Sequence, residues 1–281
     1  MKIFINGEAV SAANAKISVF NRALLFGEGL FETVLIHERR LIFLREHLDR
    51  LWSSCDALGW EVGSIEKQIK DALRCVKQGE INHGRLRIVC VPCGAPGDLL
   101  YSEHRGYDWI FYLSEEKKIS NPKALRFKTV SEDTRSKWHY HKTVNYLESA
   151  HALREARKAE YDDVLFVYRD KYLLEAAFSN IFFILKNTLY TPSLELPILN
   201  GVTRMKILEA AKKMKVCVHE KKIHRKYLPF FEGCFVTSSV RGIVKVCAID
   251  RVQYSQESHL LDALDREYQN LLHEGSVDAL D

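Results

Sequence analysis

Apolar and polar positions change period several times along this 281-residue chain. Lys2–Ile5 and Glu8–Val10 flank Asn6-Gly7, a two-residue turn signal, and predict a hairpin. Phe31–Ile36 and Leu41–Phe43 predict a second hairpin around His37-Glu38-Arg39-Arg40. Leu44, Leu48, Leu51, Trp52, Cys55 and Leu58 recur on one face, so an amphipathic helix is expected over 44–58. A further helix follows over 64–76, then strands at Leu86–Val91 and Trp109–Leu113.

The charged stretch Ser114–Lys123, with Pro122 near its end, is the best boundary candidate. It divides the chain into a smaller N-terminal α+β domain over 1–118, a linker over 119–132 and a larger C-terminal domain over 133–281. Leu125–Val130 reads as a strand, Asp133–His141 as a polar loop and Tyr146–Ala159 as a helix. Hairpins are expected from Asp163–Tyr168 with Tyr172–Glu175, and from Asn180–Leu185 with Leu189–Thr191. A helix then runs from Gly201 to about Met214. Strands at Val216–Glu220, Gly233–Thr237 and Ile243–Ile249 precede a closing helix over Gln256–His273. The pattern is α+β, without the strand–helix alternation of a doubly wound sheet.

Composition narrows the function classes. Hydrophobic residues make up 47% and charged residues 28%, as in ordinary globular proteins. A formal net charge of +4 is too mild to imply nucleic acid, and the basic run Lys221–Lys226 reads as a solvated face. No stretch has the apolar length of a membrane span, and the N-terminus does not resemble a signal peptide. Seven cysteines without regular spacing fit reduced thiols and a cytoplasmic location. Cys90 and Cys93 have the spacing of half a zinc site, but no second pair completes it, so two buried small residues are expected. His139 and His141 lack a third ligand and read as contacts near Lys142, not as a metal site.

Four features carry candidate chemistry. Gly27 and Gly29 sit beside aromatics in a stretch that otherwise reads as a loop. His47, Arg50 and Ser54 share a second face of the 44–58 helix, where an arginine either meets solvent or grips a phosphate. Gly201-Val202-Thr203 opens a helix whose free N–H groups suit an anion, or simply water. Lys142 opens a helical pattern and Glu175 ends a strand. A lysine amine and a carboxylate so held suit a pyridoxal phosphate (PLP) enzyme, as Schiff base and pyridinium partner.

In order, the chain carries Asn21-Arg22, Phe26-Gly27-Glu28-Gly29-Leu30-Phe31-Glu32-Thr33, His47-Leu48-Asp49-Arg50-Leu51 and Lys142-Thr143-Val144-Asn145-Tyr146. Glu175, Ser179-Asn180-Ile181-Phe182, Asn200-Gly201-Val202-Thr203-Arg204 and Val236-Thr237-Ser238-Ser239 follow. This ordered set resembles the class IV aminotransferases, the fold-type IV PLP enzymes. They include branched-chain and D-amino acid aminotransferases and aminodeoxychorismate lyases. The resemblance implies a two-domain α+β fold like that of D-amino acid aminotransferase, with the active site at the domain interface. It also implies a homodimer and pyridoxal 5'-phosphate anchored mainly by the C-terminal domain. On it, Lys142 is the Schiff-base and proton-carrying lysine, and Glu175 contacts the ring nitrogen. Arg50, Val202, Thr203, Ser238 and Ser239 bind the phosphate, and Tyr146 bonds the phenolic oxygen. Phe31, Val240 and Arg241 line the substrate side.

The resemblance implies a small amino acid or 2-oxo acid as substrate, with neither nucleic acid nor membrane as partner. Transamination is the leading reaction, and aminodeoxychorismate lyase chemistry, releasing pyruvate to give p-aminobenzoate, is the alternative. The chain lacks the Pro-Arg-x-His carboxylate trap of the D-amino acid enzymes, having Pro92-Cys93-Gly94-Ala95-Pro96-Gly97-Asp98 there. It also has Ser238-Ser239-Val240-Arg241 where branched-chain enzymes show Gly-Thr-Ala-Ala. Arg241 either pairs with a substrate carboxylate or is a surface arginine at a strand turn.

Overall fold

The structure is a computed structural model describing residues 1–78, 81–94, 106–116, 123–132 and 135–274. Ala95–Asp98, the middle of the 114–123 boundary stretch and the start of the 133–141 loop lie outside the described residues. Two compact units divide the chain. Unit one comprises Met1–Lys118, His141–Asn145 and Glu274–Asp281, and unit two comprises Ile119–Tyr140 and Tyr146–His273.

Unit one contains β1 (Lys2–Ile5), β2 (Glu8–Val10), α1 (Arg22–Phe26), β3 (Leu30–His37) and β4 (Arg40–Leu41). It continues with α2 (Leu44–Ala57), α3 (Glu66–Lys77), β5 (His83–Pro92) and β6 (Tyr107–Glu115). Its strands form an antiparallel six-stranded sheet ordered β2-β1-β6-β5-β3-β4. Alternation puts Leu30, Val34 and Ile36 of β3 in the core with Leu86, Ile88 and Cys90 of β5. The apolar face of α2, carried by Leu44, Leu48, Leu51 and Cys55, closes that core.

Where a loop is expected before β3, the structure forms the short helix α1. Asn21 Oδ1 accepts from Ala23 N at 2.9 Å and caps its start. Gly27 ends it in the left-handed conformation at φ 70°. Gly29 has a different reason to be glycine. A Cβ there would lie 2.9 Å from Val91 Cγ1 and 3.0 Å from Val144 Cγ2.

Unit two contains β7 (Leu125–Glu132), a 3-10 turn at Lys137–Tyr140, α4 (Leu147–Lys158), β8 (Asp163–Tyr168) and β9 (Tyr172–Ala176). Next come β10 (Asn180–Leu185), β11 (Thr188–Pro192), α5 (Val202–Lys213), β12 (Val218–Lys221) and a 3-10 turn at Arg225–Phe230. The unit ends with β13 (Gly233–Ser238), β14 (Gly242–Ile249), β15 (Val252–Gln253) and α6 (His259–Glu274). The strand order is β12-β11-β10-β13-β14-β7-β8-β9, with β15 on β14. The pairs β11/β12, β14/β7 and β7/β8 are parallel, so the sheet is mixed.

Phe127, Leu165, Ile181, Phe183, Val236 and Val246 fill one core of this sheet, while Val164, Phe166, Leu174 and Ala156 pack in another. Two boundaries differ from the sequence expectation for local reasons. α6 starts at His259 because Ser258 Oγ accepts from Leu261 N at 3.2 Å. β12 starts at Val218 because Lys215 turns to φ 56° and Val216 N bonds Ala211 O, closing the end of α5.

Candidate active site

Lys142 sits on a short extended segment added beside the start of β3. Phe31 N donates to Lys142 O at 2.9 Å, and Val144 N to Gly29 O at 2.9 Å. Leu30 and Thr143 form an antiparallel bridge. His141 Nδ1 lies 3.1 Å from Ser54 Oγ on α2, anchoring the residue before the lysine. This register sets Lys142 Nζ 4.6 Å from the centre of the buried Phe31 ring. The Arg87 guanidinium of β5 lies 3.6 Å from the same ring centre. Two cations on one aromatic ring create a locally positive, half-apolar surface suited to an anion with an organic body.

Behind β3 is a buried polar cluster. Glu32 accepts from Arg50 Nε at 2.7 Å and Nη2 at 2.6 Å, and His47 Nδ1 is 2.6 Å from its Oε2. Burial alone would raise the Glu32 carboxyl, but Arg50 and His47 outweigh it and hold the pKa at about 2. Burial lowers the His47 pKa, which favours neutral imidazole. Arg50 therefore supplies most of the compensating charge. The second face of α2 is not a solvent face: His47 and Ser54 are buried, and the Arg50 side chain is 11% exposed.

In unit two, Glu175 is the penultimate residue of the hairpin strand β9, with its side chain 13% exposed. Arg135 Nη1 donates to Oε1 at 2.8 Å, while Asn180 Nδ2 and Leu199 N donate to Oε2 at 3.2 and 3.1 Å. Asn180 Nδ2 also donates to Leu199 O at 2.8 Å. Gly201 fits this corner only as glycine, since a Cβ would stand 2.0 Å from Asn180 Oδ1.

Gly201 is the N-cap of α5 and offers no side-chain cap, and the first turn contains no acidic residue. The Thr203 hydroxyl bonds Tyr268 of α6. Asn180 pairs with Thr237 across β10 and β13, leading to Ser238 and Ser239. Ser179 Oγ and Thr237 Oγ1 are buried without hydrogen-bond partners among the described residues. Orphaned hydroxyls, a helix N-terminus and a carboxylate in one unit suit a phosphate-bearing, cationic-ring cofactor. The residues present fit PLP.

The remaining sequence candidates are also placed. Tyr146 precedes α4 and stacks on Phe178, with ring centres 5.3 Å apart and planes at 4°. Val202 is buried, Val240 is half-buried, and Arg241 is exposed on the β13–β14 turn. The Arg241 charge acts on buried Asp163, whose pKa is raised first by burial. Cys90 bonds Cys55, which pushes the Cys90 thiol pKa up, and burial and Asp108 push Cys93 up to about 11. All seven thiols are free.

The family Amino-transferase class IV matches residues 29–249, which include Lys142, Glu175 and the α5 N-terminus. The chain belongs to the class IV aminotransferases. Members of this family are PLP-dependent enzymes. A probable branched-chain-amino-acid aminotransferase of Rickettsia felis is 28% identical over 97% of this chain and 96% of its own. The D-alanine aminotransferase of Bacillus licheniformis is 25% identical over 89% of each. The crystal structure of a putative 4-amino-4-deoxychorismate lyase from Legionella pneumophila superposes with a TM-score of 0.85. It shares 26% identity over 92% of this chain and 97% of its own. These likenesses bear out the α+β fold-type IV expectation.

Sequence reading missed Glu32, Arg87 and Arg135. Glu32 had a usable signal, since it falls in the core phase of β3 with Leu30, Val34 and Ile36. A carboxylate in that phase needs a buried cationic partner. Arg135 carries no periodic signal, because it lies outside any helix or strand.

Proposed function

We propose that this class IV aminotransferase transfers an amino group between a small amino acid and a 2-oxo acid. The observation that carries the reading is the setting of Lys142, held by two backbone bonds to β3 with Nζ on the Phe31 ring. PLP, when bound, supplies an electron sink for the charge left when a substrate Cα–H bond breaks. Lys142 Nζ would hold the cofactor and would carry the proton to and from the substrate carbon.

Glu175 would accept a hydrogen bond from the ring nitrogen, and Tyr146 would bond the phenolic oxygen. Arg50, the Val202 and Thr203 end of α5, Ser238 and Ser239 hold the phosphate. Phe31, Val240 and Arg241 face the substrate, and Arg87 supplies a cation for its carboxylate. The enzyme acts as a homodimer in the cytoplasm. Val19 at 67% and Leu24 at 63% exposure, with Phe20, Leu25 and Phe26, give an apolar surface that supports self-association. No helix among the described residues is long and apolar enough to cross a membrane.

A second reading, aminodeoxychorismate lyase chemistry, is favoured by the Legionella likeness and uses the same Lys142 proton transfer. Visible spectra of the PLP-loaded protein with a panel of L- and D-amino acids separate the two. Conversion to the amino form of the cofactor by one donor establishes transamination and its stereochemistry. A stable visible band that resists every donor, with pyruvate released from aminodeoxychorismate, establishes the lyase. A protein that takes up no PLP sinks both.

A further inference from the structure

We propose that Arg135 is a positioning residue that keeps the Glu175 carboxylate ionised and fixed in orientation for the ring nitrogen it would pair with. This inference rests on the reading of Glu175 as the ring-nitrogen partner. The Arg135 side chain is 3% exposed, unusually low for a charge. Its guanidinium carbon lies 4.3 Å from the centre of the fully buried Phe166 ring. Its Nη1 donates to Glu175 Oε1 at 2.8 Å and to Pro197 O at 3.4 Å.

Each carboxylate oxygen has its own donors: Arg135 on Oε1, and Asn180 Nδ2 with Leu199 N on Oε2. Exchanging the oxygens by a flip breaks all three bonds, so the plane of the carboxylate is set from three sides. The Asn180 side chain and the Leu199 backbone, themselves linked by the Asn180 Nδ2 bond to Leu199 O, hold one oxygen, and Arg135 holds the other.

A buried ion pair is weak evidence for stability, because an apolar pair of the same shape is often as stable. A chemical requirement explains it better here. A carboxylate in an apolar pocket takes up a proton near neutral pH, and a neutral acid cannot stabilise a cationic N–H. Arginine cannot be deprotonated in a protein, so its neighbour stays anionic across the working range. The same pairing lowers the basicity of the carboxylate. A ring nitrogen bound there would then keep its proton instead of passing it to Glu175. Arg135 thus acts through Glu175 and needs no contact with the cofactor.

The test compares wild type with E175Q, R135Q and R135K, all loaded with PLP. Two quantities are read: the pH midpoint of the visible band of the lysine-bound cofactor, and the PLP dissociation constant. E175Q is expected to raise the midpoint, because a less positive ring leaves the lysine linkage more basic. R135Q is expected to raise it in the same direction by about half a unit or more, and to weaken PLP binding by about tenfold. R135K keeps the charge without the planar fork and is expected to fall between R135Q and wild type. A purely structural Arg135 would lower the melting temperature of R135Q and leave the midpoint of the folded fraction unchanged. That result, alongside a shifted E175Q, overturns the proposal. An unshifted E175Q instead removes the reading of Glu175 on which it rests. Should R135Q fail to fold, R135K decides alone, and a wild-type midpoint with wild-type PLP affinity overturns the proposal.

Discussion

Glu32 holds Arg50 by both arms of the fork, with Nε 2.7 Å from Oε1 and Nη2 2.6 Å from Oε2. The two residues are 18 apart in sequence, on β3 and α2, and the Glu32 side chain is 1% exposed. The pair fixes the guanidinium in one orientation. Replacing Glu32 by Gln keeps the shape but strips Arg50 of its buried counter-charge. A loss of about 3–5 kcal/mol in urea unfolding is expected, as for other broken buried pairs. A loss below about 1 kcal/mol would place the pair in the class of exposed ion pairs instead.

Acid should act on this cluster from two groups. Glu32 has a folded pKa of about 2 against 4.5 unfolded, so its contribution is complete above about pH 4.5 and drains away towards pH 2. Burial lowers the His47 pKa below its ordinary 6.5, so the unfolded state takes up the proton first and stability also falls below that pH. Urea midpoints are therefore expected to decline steadily from pH 6.5 downward in wild type. In E32Q the decline between pH 4.5 and 2 should be shallower. Parallel curves for the two proteins would show that Glu32 does not carry it.

Gly201 should tolerate no side chain. The 2.0 Å approach of an added Cβ to Asn180 Oδ1 leaves G201A no option but to displace Asn180 or the α5 N-terminus. Overpacking of this kind costs about 1–3 kcal/mol. Because Asn180 also bonds Glu175, PLP retention after gel filtration should fall as well. Wild-type stability and retention together would count against this corner as part of the cofactor site.

Lys142→Ala should remove the visible band of lysine-bound cofactor and cut turnover by about 10³-fold or more, as when a covalent nucleophile is lost. Its melting temperature should stay close to wild type, since the lysine is half-buried and its anchoring bonds are made by the backbone. Retention of both the band and turnover would move the chemistry to another lysine.

Arg87 lies 3.6 Å from the Phe31 ring centre that also carries Lys142 Nζ at 4.6 Å. Substituting Met keeps the stem and removes the charge. If Arg87 binds a substrate carboxylate, R87M should raise KM by about 10–100-fold with a smaller change in kcat, the signature of lost uniform binding. An unchanged KM for every carboxylate substrate would leave Arg87 a packing residue on β5.

The sequence by itself determined the elements whose signals are local. The α2 stripe of Leu44, Leu48, Leu51 and Cys55, the Asn6-Gly7 hairpin and the alternation of β3 each follow from a period or turn that spans a few residues. The ordered motifs around Lys142, Glu175 and Gly201 determined the family. Helix α1 carried its cap residues, Asn21 and Gly27, in plain sight, but five residues are too few to show an apolar period. Only the tertiary structure decided which charges meet. Arg50 finds Glu32 across 18 residues and Arg135 finds Glu175 across 40. A buried ion pair depends on where two separate elements pack, and neither partner's local sequence encodes that position. What the sequence does show is the cost each charge would carry if buried alone, which is why the packed fold must bring them together.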